Sequence, residues 1–62
     1  MIFTNKTTGV NVKLLTINSL HVIYRELHWF QGDLEYSSNA LHYADVTLFL
    51  EEYNHNKHAA MR

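Results

Sequence analysis

Between Val10 and Leu14 apolar and polar residues alternate strictly. Val10, Val12 and Leu14 point one way, and Asn11 and Lys13 the other. A period of two does not fit a helix and marks a half-buried strand. Towards the other end of the chain the period changes. Val46, Phe49, Leu50 and Tyr53 recur at i, i+3, i+4 and i+7, one face of a helix, with Thr47, Glu51 and Glu52 opposite. Asp45 is placed to cap its N-terminus. A helix this short is unstable alone, so its apolar face must lie on a sheet.

Further strands are legible around these two anchors. Ile2, Phe3 and Thr4 are β-prone, and Asn5-Lys6-Thr7-Thr8-Gly9 is turn chemistry, with Gly9 able to supply a positive φ. Leu15 breaks the alternation, which predicts a bulge there, and Asn18-Ser19 marks a second turn. His21 to Leu27 reads as a third strand that continues through Trp29. Its inner face is ambiguous, as expected for strong curvature or burial on both sides. Gly32-Asp33 is expected to turn the chain, with Leu34-Glu35-Tyr36 returning and Ala40 to Tyr43 as a last short strand. The expected architecture is mainly β: a small, curved antiparallel sheet of four or five strands, or an SH3-like partly open barrel, with one short C-terminal helix. Residues 1–54 form the single domain, the helix takes 45–54, and 55–62 are expected as a flexible tail.

Sixty-two residues without Cys have neither a large core nor disulfides to hold them. A second copy of the chain is one source of extra burial, so a homodimer is an expected option. The apolar content of 47% is too high for a disordered chain. No apolar run reaches the roughly 20 residues that cross a membrane, and the N-terminus lacks the order of a signal peptide. The expected location is therefore the cytoplasm, with no membrane partner.

An N-K-x-T-G turn after the first strand, an alternating strand, a V-x-Y and a closing D-V-x-x-F-L-E-E-Y stand at Asn5, Lys6, Thr8, Gly9, Val12, Leu14, Val22, Tyr24, Asp45, Phe49, Leu50 and Tyr53. This layout resembles small accessory proteins of tailed bacteriophages, many of which have SH3-like folds. The resemblance covers the two ends of the chain and leaves out His28 to Tyr43. It implies a scaffold, an origin and the cytoplasm of a bacterial host as the place of action. Function has to be argued from the residues.

The charge is unevenly spread. Lys6, Lys13 and Arg25 fall before residue 26, while all six acids fall between Glu26 and Glu52, a stretch without Lys or Arg. The only Trp lies in that acidic stretch. Aromatics beside acids suit a protein partner with a basic surface, because Trp and Tyr are frequent interface hot spots and charge selects the partner. Trp29, Phe30, Tyr36, Glu26, Asp33 and Glu35 are the candidate partner-binding residues. The expected partner is a host protein, for instance a nucleic-acid-binding enzyme that is inhibited or modulated by occupancy. Trp29 and Phe30 are consecutive, so they face opposite sides of any strand, and one ring needs a second cover. The alternative is a small-barrel nucleic-acid binder that uses Lys6, Lys13 and Arg25, with nucleic acid as its partner.

Catalysis finds little footing. There is no Cys nucleophile, no Gly-rich phosphate loop and no base at a diagnostic spacing from Ser37-Ser38. Five His residues raise metal binding, with His55 and His58 on one face beside Glu51 if the helix runs on. That pair falls where the helix is expected to fray. No enzyme activity, metal site or cofactor is expected.

Overall fold

The computed structural model describes residues 1–61. Six strands and one helix follow in the order β1 (Ile2–Asn5), β2 (Asn11–Ile17), β3 (His21–Phe30), β4 (Asp33–Tyr36), β5 (His42–Asp45), α1 (Val46–Glu52) and β6 (Tyr53–His55). All strands pair antiparallel, in the order β4-β3-β2-β1-β6. β5 joins β3 on the edge that β4 also uses: β4 along Leu27–Phe30 and β5 along His21–Tyr24. The architecture is mainly β, as the alternation predicts, with six strands where four or five were expected.

Local chemistry accounts for the turns. Asn5 Oδ1 accepts from the Thr7 and Thr8 amides, and Gly9 adopts φ 77° as it donates to the Asn5 carbonyl. Asn18 Oδ1 likewise accepts from Leu20 and His21, both at 2.8 Å. The β2–β3 register shifts between Leu14 and Thr16, which is the bulge expected at Leu15. The β3–β4 turn is centred on Gln31-Gly32, one residue before the expected position. Its φ values of 51° and 84° are both positive, as a tight hairpin in this handedness requires.

α1 starts where expected. Asp45 Oδ1 accepts from the Thr47 and Leu48 amides. It ends at Glu52, before the expected residue 54, because Tyr53 turns extended and pairs with Asn5. The Tyr53 ring nevertheless stays stacked on Phe49, 4.4 Å between centroids. Phe49 is buried, with Val46 and Tyr53 packed around the same cluster. Leu50, expected to face the core, is exposed, and Phe49 takes the buried position of α1.

Connectivity shows how curved the sheet is. β5 and β6 lie four inter-strand steps apart through β3, β2 and β1, about 19 Å in a flat sheet. The helix that joins them directly spans only about 12 Å from Asp45 to Tyr53. The sheet therefore curls around α1 as a partly open barrel. The concave side holds Phe3, Val12, Leu14, Val22 and Phe49.

A second cluster lies on the opposite side, made of Ile2, Leu27 and Leu34 with Tyr36, Ala59 and Met61 against it. Ile2 and Phe3 are consecutive and both buried, so the sheet is covered on both faces. This resolves the ambiguous faces of the third strand: Val22 belongs to one core and Leu27 to the other. Residues 55–61, expected as a tail, supply the second cover. His55 pairs with Phe3, Ala59 packs on the second cluster, and Met61 bridges Leu34 in parallel. Asn56 holds this strap in place. Its amide donates to the Ile2 carbonyl, its Nδ2 to Thr4 Oγ1, and its Oδ1 accepts from His58 and Ala59. Arg62 lies outside the described residues. No helix among the described residues is long and apolar enough to cross a membrane.

Candidate functional site

β3 has ten residues and β4 only four, so the β3–β4 hairpin carries chain beyond the reach of α1, which packs on β3, β5 and β6. Alternation along β3 sorts its side chains. Val22, Tyr24, Glu26, His28 and Phe30 share the helix side, and Ile23, Arg25, Leu27 and Trp29 share the strap side. Register carries the sorting to β4: Glu35 lies across from His28 and Asp33 across from Phe30, while Leu34 lies across from Trp29 and Tyr36 across from Leu27. The six candidate partner-binding residues are therefore divided between two faces.

The helix-side face of the hairpin is acidic. Glu26, Glu35 and Asp33 frame His28 and Phe30, whose rings meet edge to face at 6.4 Å. His28 Nδ1 shares a hydrogen bond with Ser37 Oγ at 3.1 Å. Glu26 Oε1 lies 3.3 Å from His42 Nε2, and the His42 ring stacks on Tyr24. Phe30 is 50% exposed.

The strap-side face is basic and aromatic. Arg25 lies over the Tyr36 ring, 3.6 Å from its centroid, a cation–π contact. The same guanidinium donates to the Ser38 carbonyl from Nε (3.2 Å) and Nη2 (2.7 Å), and to Asn39 Oδ1. Lys13 is its cross-strand neighbour. Beside Lys13 the Met1 amino group is held below its usual pKa, first by desolvation and then by Lys13 itself. Trp29, on this face, is 62% exposed. Among the described residues neither hairpin ring receives the expected second cover, and both are at least half exposed.

The three candidate nucleic-acid contacts also separate. Lys13 and Arg25 adjoin, but Lys6 sits at the end of α1, where its Nζ donates to the Glu51 carbonyl at 2.8 Å. There it complements the helix C-terminus. His55 and His58 do not share a helix face, because α1 ends at Glu52 and the His55 ring packs on Phe3 at 5.2 Å. Among the described residues no three His, Asp or Glu side chains converge as metal ligands.

Two features escaped the sequence reading. One is the packed aromatic group of Tyr24, Phe49 and Tyr53, in which burial and a hydrogen bond to Tyr53 push the Tyr24 hydroxyl up to about 12. The i, i+4 spacing of Phe49 and Tyr53 was its only trace. The other is the role of Asn56, visible only as an Asn two residues before His58. No protein family model matches the chain, and no match exists among curated proteins or solved structures.

Proposed function

We propose that the chain is a non-enzymatic protein-binding module of the phage accessory type. In this reading it acts in the cytoplasm of a bacterial host, by occupying a basic surface of a host protein such as a nucleic-acid-binding enzyme. One observation carries the reading. The projecting hairpin holds Phe30 and Trp29 uncovered on its two faces, and the Phe30 face is framed by Glu26, Asp33 and Glu35. Large exposed rings at a rigid hairpin are costly in water and become favourable once a partner covers them. The carboxylates select a basic partner and speed the encounter.

A pull-down from bacterial lysate with wild type, Phe30→Ala, Trp29→Ala and Glu35→Lys tests it. A partner retained by wild type and lost with Phe30→Ala and Glu35→Lys supports the acidic face; retention by all four forms removes the hairpin from the reading.

Nucleic-acid binding is kept as a second reading on the cross-strand pair of Lys13 and Arg25, with Tyr36 beneath the guanidinium and Trp29 further along the same face. Titration of single-stranded and duplex oligonucleotides from low to high salt decides it. Phosphate contacts give tighter binding at low salt, and no binding there ends this alternative.

A further inference from the structure

The two faces of the hairpin extend two oppositely charged sides of the sheet. On the helix side stand Glu26, Asp33 and Glu35, and α1 adds Glu51 and Glu52, both exposed. Lys6 Nζ is held there on the Glu51 carbonyl, and His42 lies against Glu26. The strap side holds Lys13 and Arg25 as cross-strand neighbours, and the strap itself adds the exposed Lys57. Asp45 lies across from His21 on that side, but its carboxylate turns to the Thr47 and Leu48 amides of α1. The register behind this sorting is continuous. The β2–β3 shift falls between Leu14 and Thr16, past Lys13, and β3 pairs with β4 without a shift.

Each side also carries one uncovered ring of the hairpin, Phe30 with the acids and Trp29 with the bases. Glu26 to Phe30 and Arg25 to Trp29 are both intervals of four residues, about 13 Å along a strand. A charge and a ring therefore recur at one spacing on both faces, with the sign of the charge reversed. Opposite faces of one sheet cannot meet within one molecule. They can meet between two.

We infer that the chain associates with itself head to tail, the acidic Phe30 face of one copy seated on the basic Trp29 face of the next. Charge complementarity selects this arrangement. A two-fold contact through either hairpin face would set like charges against each other, whereas a heterologous contact pairs Glu26 and Glu35 with Lys13 and Arg25. Such a contact leaves one unused face at each end, so it continues beyond two copies. It requires no host protein, and a basic host surface would compete with it for the same acidic face.

Sedimentation and light scattering of the purified chain, at several concentrations and from low to high salt, test the contact. Wild type is expected to associate at low salt, with a mass that rises past two copies as concentration increases, and to dissociate in high salt, where exposed charges are screened. Glu35→Lys alters the acidic face and Lys13→Glu the basic one. Each is expected to weaken self-association by about tenfold or more, with an unchanged circular dichroism spectrum. Glu35→Lys keeps its basic face and Lys13→Glu its acidic face, so an equimolar mixture is expected to recover association that neither variant shows alone. A wild type that stays monomeric at low salt overturns the inference. So does a dimer that stops at two copies or resists salt, or a mixture no more associated than its two components.

Discussion

Single residues hold this fold at places where the backbone or a proton is under constraint. Gln31 adopts φ 51° at the hairpin tip, a region that side chains other than Gly and Asn enter at a cost of roughly 1–2 kcal/mol. Gln31→Gly is therefore expected to stabilise the protein by up to about 1 kcal/mol, measured by urea unfolding. Gly32→Ala, at φ 84°, is expected to destabilise it by a similar amount. Tyr24 offers a separate test. Its hydroxyl titrates at about 12 in the fold, against an ordinary value of 10.0. Burial is the first cause, followed by the Tyr53 hydrogen bond and the charges of Glu26 and Glu52. A raised tyrosine pKa means that the folded state favours the neutral form. That stability is fully present below pH 10 and is lost as the pH climbs towards 12. Thermal melts across that window are expected to fall in wild type and to fall less steeply in Tyr24→Phe. Ultraviolet titration should show one late-ionising tyrosine that the substitution removes.

At the scale of elements, two covers from one end of the chain close the two faces of one sheet. α1 fills the concave face with Phe49, and the strap from Asn56 to Met61 fills the other. Asn56→Ala removes three side-chain hydrogen bonds that anchor the strap, and a loss of about 1–3 kcal/mol is expected. Stronger binding of a hydrophobic dye would report exposure of Ile2, Leu27 and Leu34. The strands and α1 were legible because Val12 and Leu14 alternate with polar residues, and because Val46, Phe49 and Tyr53 keep the helical spacing behind an Asp cap. The strap was not. His55-Asn56-Lys57-His58 has neither period, and its order comes from pairing with residues more than fifty positions earlier. Leu50 was misplaced for a related reason: periodicity shows which residues share a face but not how much of that face the sheet can cover. The division of the hairpin residues between two faces follows from alternation alone, whereas the separation of Lys6 from Lys13 and Arg25 follows from the curl that brings α1 to the first turn.

The whole molecule is 35 Å along its long axis, close to the length of a ten-residue strand. β3 therefore sets the distance between the aliphatic turn at Leu20 and the aromatic tip at Trp29 and Phe30. Sites this far apart act independently. Trp29→Ala is expected to change stability by no more than about 0.5 kcal/mol, because the ring is mostly in water. Combined with Leu20→Glu, it is expected to show the sum of the single effects in denaturant unfolding. The pairing of β1 with β6 has a consequence for how the chain is made. Phe3 waits for His55, and Ile2 for Asn56, so the first strand leaves the ribosome long before its edge partner exists. Neither face can be closed strand by strand during synthesis. A nascent chain stalled before residue 46 would display two bare apolar faces, a ready target for chaperones and proteases. Only chains carried through the strap bury Ile2, Leu27 and Leu34 on the second face.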